Sequence, residues 1–259
     1  MTPEEIGIIA KSTLKFGVKK IKISGGEPLL RPDLVNIIEN ISDIRIKDIS
    51  LTTNGILLEN YAEKLKDAGL NRVNVSMDTI DPVKYKNITY CGDIERVKAG
   101  IERALDVGLT PLKINYLAMK NTIEDLGPLM DYCRDIGAIL QIIEFIPLNK
   151  NLKKYYVDIT KIENEIEKKS DRVITRKLMQ NRKKYYIDGL EVEFVRPMDN
   201  TEFCNNCTRI RLTYDGFLKP CLLREDNLIN IISPLRDGKN IDDLIYKAIL
   251  NREPYFKGK

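Results

Sequence analysis

The 259-residue sequence contains no histidine. Its absence removes imidazole as a metal ligand, as a general base and as a triad member, so any metal would depend on thiolates or carboxylates. Tryptophan is also missing, which excludes little. No apolar run reaches the length needed to cross a bilayer, and the opening Met1-Thr2-Pro3-Glu4-Glu5 has no signal-peptide character. An excess of either charge is lacking too: 42 basic against 38 acidic side chains leave a formal +4, well mixed along the chain. So mild a balance does not point to nucleic acid, but it suits a small anionic substrate. Cysteine is sparse and odd in number, five in all, with Cys204, Cys207 and Cys221 clustered. That pattern argues for metal ligation in a reducing, cytoplasmic compartment and against a disulfide scaffold.

Five β-branched runs alternate with helical periodicity through the first part of the chain. The runs are residues 20–24, 48–55, 72–78, 112–117 and 140–146, and the helical stretches between them run 34–41, 58–68, 94–107 and 126–136, after a first helix at 3–16. This alternation predicts a parallel α/β sheet. Each run ends in polar groups: Ser24 and Glu27, Thr52 and Asn54, Ser76 and Asp78, Lys113 and Asn115, Glu144. Polar ends on every strand favour a barrel, whose site is assembled from successive strand ends, over an open sheet with one switch point. Five strands cannot close a ring, so the expectation is a partial (β/α) barrel over residues 1–147. Residues 148–259 read differently: a charged helix at 159–168, a hairpin over 185–195 turning at Asp188-Gly189, the cysteine segment, and a helix at 241–250.

Two stretches carry chemistry. Lys22-Ile23-Ser24-Gly25-Gly26-Glu27-Pro28 is a strand that stops at two glycines, where the backbone can approach a ligand closely, with a carboxylate beside the opening. Gly-Gly alone would be a tight turn. In the second stretch Cys204 and Cys207 can bite one metal centre from a single turn, and Cys221 returns after a turn at Asp215-Gly216. Structural zinc would need a fourth ligand from Cys91 or Cys133, both remote in sequence. A [4Fe-4S] cluster on three cysteines needs none, and leaves one iron open to a ligand. Spacing alone keeps both metals in play. Arg209 and Arg211 lie two apart beside Cys207, and their guanidinium forks suit phosphate. Asp78 reads as a hydrogen-bonding group at a strand end, Asp81-Pro82 as a helix start or turn, and the pairs Tyr155-Tyr156 and Tyr185-Tyr186 as packing and surface residues.

Taken with Leu51-Thr52-Thr53-Asn54-Gly55 and Arg72-Val73-Asn74-Val75-Ser76-Met77-Asp78, these residues resemble the radical S-adenosylmethionine (SAM) superfamily, and within it the GTP 3′,8-cyclases of molybdenum cofactor biosynthesis. The resemblance implies an N-terminally truncated partial radical SAM barrel with a small C-terminal iron–sulfur region. It implies that Gly26, Glu27, Ser76 and Ile146 hold SAM, and that Lys22, Thr52, Lys113, Arg209 and Arg211 hold GTP. Cys204, Cys207 and Cys221 would hold a [4Fe-4S] cluster facing the guanine. In that family a second, N-terminal cluster cleaves SAM, and the 5′-deoxyadenosyl radical takes hydrogen from ribose C3′ before C3′ attacks guanine C8. A homodimer is compatible with the resemblance, and the next enzyme would be cyclic pyranopterin monophosphate synthase.

The same resemblance brings departures. The Cys-x3-Cys-x2-Cys motif of the first cluster is expected upstream of Pro3, so no catalytic residue is assigned within these residues, which by themselves should not cleave SAM. Gln141 stands where many relatives carry arginine, one positive charge fewer on the triphosphate side. The tail 255–259 lacks the family's paired terminal glycines. Two other readings are a peptide-modifying radical SAM enzyme with an auxiliary cluster and an inactive nucleotide-binding paralogue.

Overall fold

The computed structural model describes residues 1–90, 92–177, 179–198 and 200–255. Cys91 and residues 256–259 of the tail discussed above lie outside the described residues. The chain runs α1 (Pro3–Leu14), β1 (Lys20–Ile23), α2 (Leu34–Ser42), β2 (Asp48–Thr53), α3 (Leu58–Asp67), β3 (Arg72–Ser76), α4 (Pro82–Thr89), α5 (Ile94–Asp106), β4 (Lys113–Ala118), α6 (Leu126–Asp135) and β5 (Ile139–Glu144). It continues through α7 (Thr160–Lys169), β6 (Arg172–Arg176), β7 (Arg182–Ile187), β8 (Leu190–Val195), α8 (Thr201–Asn205), β9 (Arg211–Leu212), β10 (Phe217–Lys219), β11 (Ile229–Asn230), α9 (Ile232–Arg236) and α10 (Asp242–Leu250).

The five expected strands form, and the sheet does not stop there. Eight strands pair in the order β1-β2-β3-β4-β5-β8-β7-β6, with β8 parallel to β5 and the last two pairings antiparallel. The hairpin of β7 and β8 turns at Asp188-Gly189, both with positive φ, and extends the main sheet. Sequence reasoning does not find β6. Asp81-Pro82, read as a helix start or turn, is a helix start: Asp81 caps α4 by accepting the Lys84 amide.

Alternation along the strands divides the sheet into two unlike faces. Ile49 and Leu51, Val73 and Val75, Ile114 and Tyr116, Leu140 and Ile142, Val192 and Phe194 are buried in one core with α2, α3, α5 and α6. Their neighbours on the opposite face are Lys22, Ser50 and Thr52, Asn74 and Ser76, Lys113 and Asn115, Gln141, Glu193, Lys184 and Arg182. Register sets Thr52 beside Asn74, Asn74 beside Lys113, Asn115 beside Gln141, Gln141 beside Glu193 and Glu193 beside Lys184. A soluble sheet buried on one face normally shows alternation of this kind in antiparallel form. Here six parallel strands show it, which leaves a polar inner surface for a ligand.

A second, smaller core joins the end of the chain to its first helix. Ile9 of α1 packs with Leu218, Ile229, Ile231, Ile241, Ile245 and Ala248, while Ala10 of the same helix belongs to the main core. The three-stranded sheet β11-β10-β9 sits in this region, and its turn depends on Gly216. That residue has φ of 86°, and a Cβ there would meet Ile232 at 2.4 Å. No helix among the described residues is long and apolar enough to cross a membrane.

Candidate functional site

At the C-terminal edge of β1, Ser24, Gly25 and Gly26 are solvent-exposed. A Cβ built on either glycine would meet no protein atom within 4 Å, and neither has a positive φ. Protein packing therefore does not require glycine here; a bare backbone facing open space remains. Glu27 is held firmly beside it. One carboxylate oxygen accepts the Leu29 amide at 3.0 Å and the Thr53 hydroxyl at 2.7 Å, and the other accepts the Asn54 amide at 2.7 Å. The carboxylate thus laces the glycine loop to the end of β2. Ser76 is exposed at the end of β3, and Ile146 is half-buried just past β5 on the same edge. Asp78 accepts the Leu117 amide at 2.7 Å, and burial pushes its carboxyl up to about 6. It is a hydrogen-bonding group, as its strand-end position suggests.

Further along the polar face lies a dense group of charges. Glu193 is fully buried, and around it stand Lys113, Arg176 at 2.6 Å, Lys184 at 3.8 Å and Arg182 at 3.9 Å. Burial alone would raise the Glu193 pKa, but Lys113, Arg176 and Arg182 override it and hold it down to about 2. Desolvation lowers Lys113 to about 8 against the pull of Glu193, so both partners are ionised at neutral pH. Lys22 makes no ion pair among the described residues. It is open to solvent. Desolvation, then repulsion from Arg72, Arg209, Lys113 and Arg182, brings it down to about 7. Asn74, between Thr52 and Lys113, has a buried Oδ1 with no hydrogen-bond partner. A cation-lined floor with an orphaned acceptor is a surface built to meet something polar.

Cys204 ends its turn in α8, and the Cys207 amide donates to the Cys204 carbonyl at 3.2 Å. The Cys207 thiol accepts from Gln180 Nε2 at 3.4 Å. Burial lowers the Arg211 pKa, and negative charge on Cys207 and Cys221 opposes that shift. Arg209 is lowered by desolvation and attracted to Cys207 in the same way. The donors are all thiols with no imidazole nearby, which fits an iron–sulfur group in chemistry. Among the described residues no three Cys, His, Asp or Glu side chains converge closely enough to hold a metal ion. Cys133 is buried in α6, its thiol pushed up to about 12 by desolvation, and it belongs to the core.

The structure thus brings Lys22, Thr52, Lys113 and Arg209 toward one polar surface, and Arg211 toward the cysteines. Sequence reasoning misses Glu193, Arg176 and Arg182. The alternation Glu191-Val192-Glu193-Phe194 was the available signal, because it sets two carboxylates on one face of a strand.

Residues 1–133 match the family model of the Radical SAM superfamily, and residues 138–258 match that of Molybdenum Cofactor Synthesis C. A probable GTP 3′,8-cyclase of Methanocaldococcus jannaschii is 71% identical over 259 residues, covering 100% of this chain and 87% of the relative. The chain belongs to the GTP 3′,8-cyclase family. A second probable GTP 3′,8-cyclase, from Methanococcus maripaludis strain C7, is 68% identical with the same coverage. The crystal structure of Streptococcus suis SuiB bound to S-adenosylmethionine superposes with a TM-score of 0.71 at 18% identity, over 95% of this chain and 59% of that one. At that identity the likeness concerns the radical SAM fold alone, and the sequence relatives distinguish the cyclase family from peptide-modifying enzymes.

Proposed function

We propose that the polar face of the sheet binds GTP for cyclisation between ribose C3′ and guanine C8, with SAM beside the Gly25-Gly26 loop. The observation that carries this reading is the set of cations Lys22, Lys113 and Arg209 gathered around a face with one buried carboxylate. Cations gathered around one carboxylate repel one another, and a triphosphate bound among them offsets that repulsion. Lys22, Lys113 and Arg209 would hold the phosphates and Thr52 the sugar side. Arg211 and the thiols would face the guanine. Gly26 would meet SAM through its backbone, with Ser76 on its carboxylate and Ile146 along the adenine. Glu27 is engaged by three protein donors and would act chiefly by fixing the loop that touches SAM. The parallel strand order and the polar face support a partial barrel open to substrate.

Cys204, Cys207 and Cys221 would hold a [4Fe-4S] cluster. The bound groups would supply hydrogen abstraction at the SAM side and an open iron for a guanine nitrogen. The residues here would orient the nucleotide between them.

Anaerobic iron–sulfur reconstitution tests the cysteine assignment: about four irons per chain are expected at this site, and none in a Cys204→Ala variant. One zinc and no iron would overturn it. Direct titration with GTP tests the nucleotide assignment, which requires tighter binding of GTP than of guanosine.

A further inference from the structure

Arg182 has no role in the sequence reading, yet it is among the most deeply buried cations of the molecule, with 4% of its side chain exposed. It enters the polar face from β7, an antiparallel strand beyond the parallel set. Its Nη1 donates to Gln141 Oε1 at 3.2 Å, and Gln141 in turn donates to Asn115 at 2.8 Å. Its Nε donates to the Met179 carbonyl at 3.3 Å. Nη2 is left with Glu193 Oε2 at 3.9 Å, outside hydrogen-bond distance, and that oxygen has no hydrogen-bond partner. A guanidinium hydrogen-bonded on two sides, with only a long 3.9 Å ion pair on the third, is preorganised to donate in one direction.

The charge around it points the same way. Glu193 already hydrogen-bonds Lys113 and Arg176, so it is divided among several cations and does not neutralise Arg182 alone. Lys22, Arg209 and Arg176 all lie close enough to interact with this group electrostatically. The group is therefore held among like charges with its donors partly unspent, an arrangement that a further anion would stabilise.

We propose that Arg182 is a direct phosphate ligand of the bound nucleotide, positioned by Gln141, so that the β6–β7 hairpin forms one wall of the triphosphate site. This rests on reading the polar face as the GTP site. It assigns triphosphate recognition to both the parallel strands and the added hairpin. Gln141 acquires a purpose in this arrangement: a neutral amide aims a guanidinium supplied by another strand without adding a charge of its own.

The test is equilibrium binding of GTP, guanosine and inorganic triphosphate to the anaerobically purified holoprotein and its variants. Arg182→Met should weaken GTP by about 10- to 100-fold, the loss of a charged fork, and weaken inorganic triphosphate in parallel while leaving guanosine unchanged. Arg182→Lys, which keeps the charge and loses the fork, should fall between. Gln141→Leu keeps the guanidinium but loosens its aim, and should cost less than Arg182→Met. Unchanged guanosine binding in each variant shows that the fold is retained; if Arg182→Met disturbs it, the Lys variant decides. GTP binding within twofold of the parent in Arg182→Met or, where that variant is disturbed, in Arg182→Lys overturns the proposal. A parent protein that binds guanosine as tightly as GTP overturns the underlying site reading instead, and the two failures are distinct.

Discussion

The two ends of the polar face are built from different materials. Past the C-terminal ends of β1 to β3 the exposed groups are the Gly25-Gly26 backbone and small hydroxyls, and the carboxylate beside them, Glu27, is spent on Leu29, Thr53 and Asn54, whereas Lys22, further down β1, belongs with the cations. Near β4 to β8 the groups are long cations arranged around Glu193, with the arginine-flanked cysteines beyond. The first surface offers a close backbone approach and little net charge. The second offers strong positive charge gathered around Glu193, with Glu191 pairing Lys184 beside it. One sheet thus presents a nearly neutral platform and a cationic one side by side, and side-chain charge divides them.

The strongest way to break this contrast is to remove its central acid. Glu193→Gln leaves Lys113, Arg176 and Arg182 buried without compensation and should cost about 3–5 kcal/mol in urea unfolding. It should also change the acid limb of stability. Glu193 titrates at about 2 in the folded chain against an ordinary 4.5, so its contribution is complete above about 4.5 and lost as pH falls toward 2. The variant should show a flatter decline over that window, and an unchanged decline would show that Glu193 does not organise the cations. Glu27→Ala is expected to be milder, about 1–3 kcal/mol, because it strands buried donors at the loop edge. SAM titration should weaken with it, while GTP affinity at the cationic end stays near the parent value.

A smaller effect separates the two ends by pH. Lys22 titrates at about 7, and only its protonated form attracts phosphate. GTP affinity should therefore be nearly level below that pH and fall above it, by up to about tenfold per pH unit. Lys22→Met should remove this part of the dependence; identical profiles in both proteins would exclude Lys22 from the phosphate site. SAM affinity should not follow the Lys22 titration. Smallest in stability is Gly26→Ala, expected within about 0.5 kcal/mol of the parent by thermal unfolding, since its Cβ would enter open space. The same change should weaken SAM binding measurably, and unaltered SAM binding would remove the backbone contact from the site.

The parallel strands and their helices are legible in the sequence because each is a local pattern: a β-branched run, a helical period, a closing glycine. The Asp188-Gly189 turn is legible for the same reason. What escapes is whatever depends on register between distant segments. Glu193 meets Lys113 across 80 residues, and Arg182 meets Gln141 across 41. No local rule announces that a charged residue in a late hairpin will be buried against an early strand. The joining of β8 to β5 is hidden in the same way, since a hairpin read alone looks like a unit of its own. Gly25-Gly26 and the cysteine set could be picked out because their residue types are unusual, whereas lysines and arginines are common and gain meaning only from position.

The first helix, packed on two sides, makes site formation a matter of timing. Lys15 of α1 pairs with Asp242, 227 residues later, and Glu5 pairs with Arg236, 231 residues later. Contacts of such sequence separation close late, because the loop entropy must be paid before they reward the chain. On a ribosome the parallel strands could pair while α10 was still being made, and the small core behind β10, next to Cys221, would close only after α10 docks on α1. A chain stalled before residue 242 would display the strands of the nucleotide floor with that second core still open.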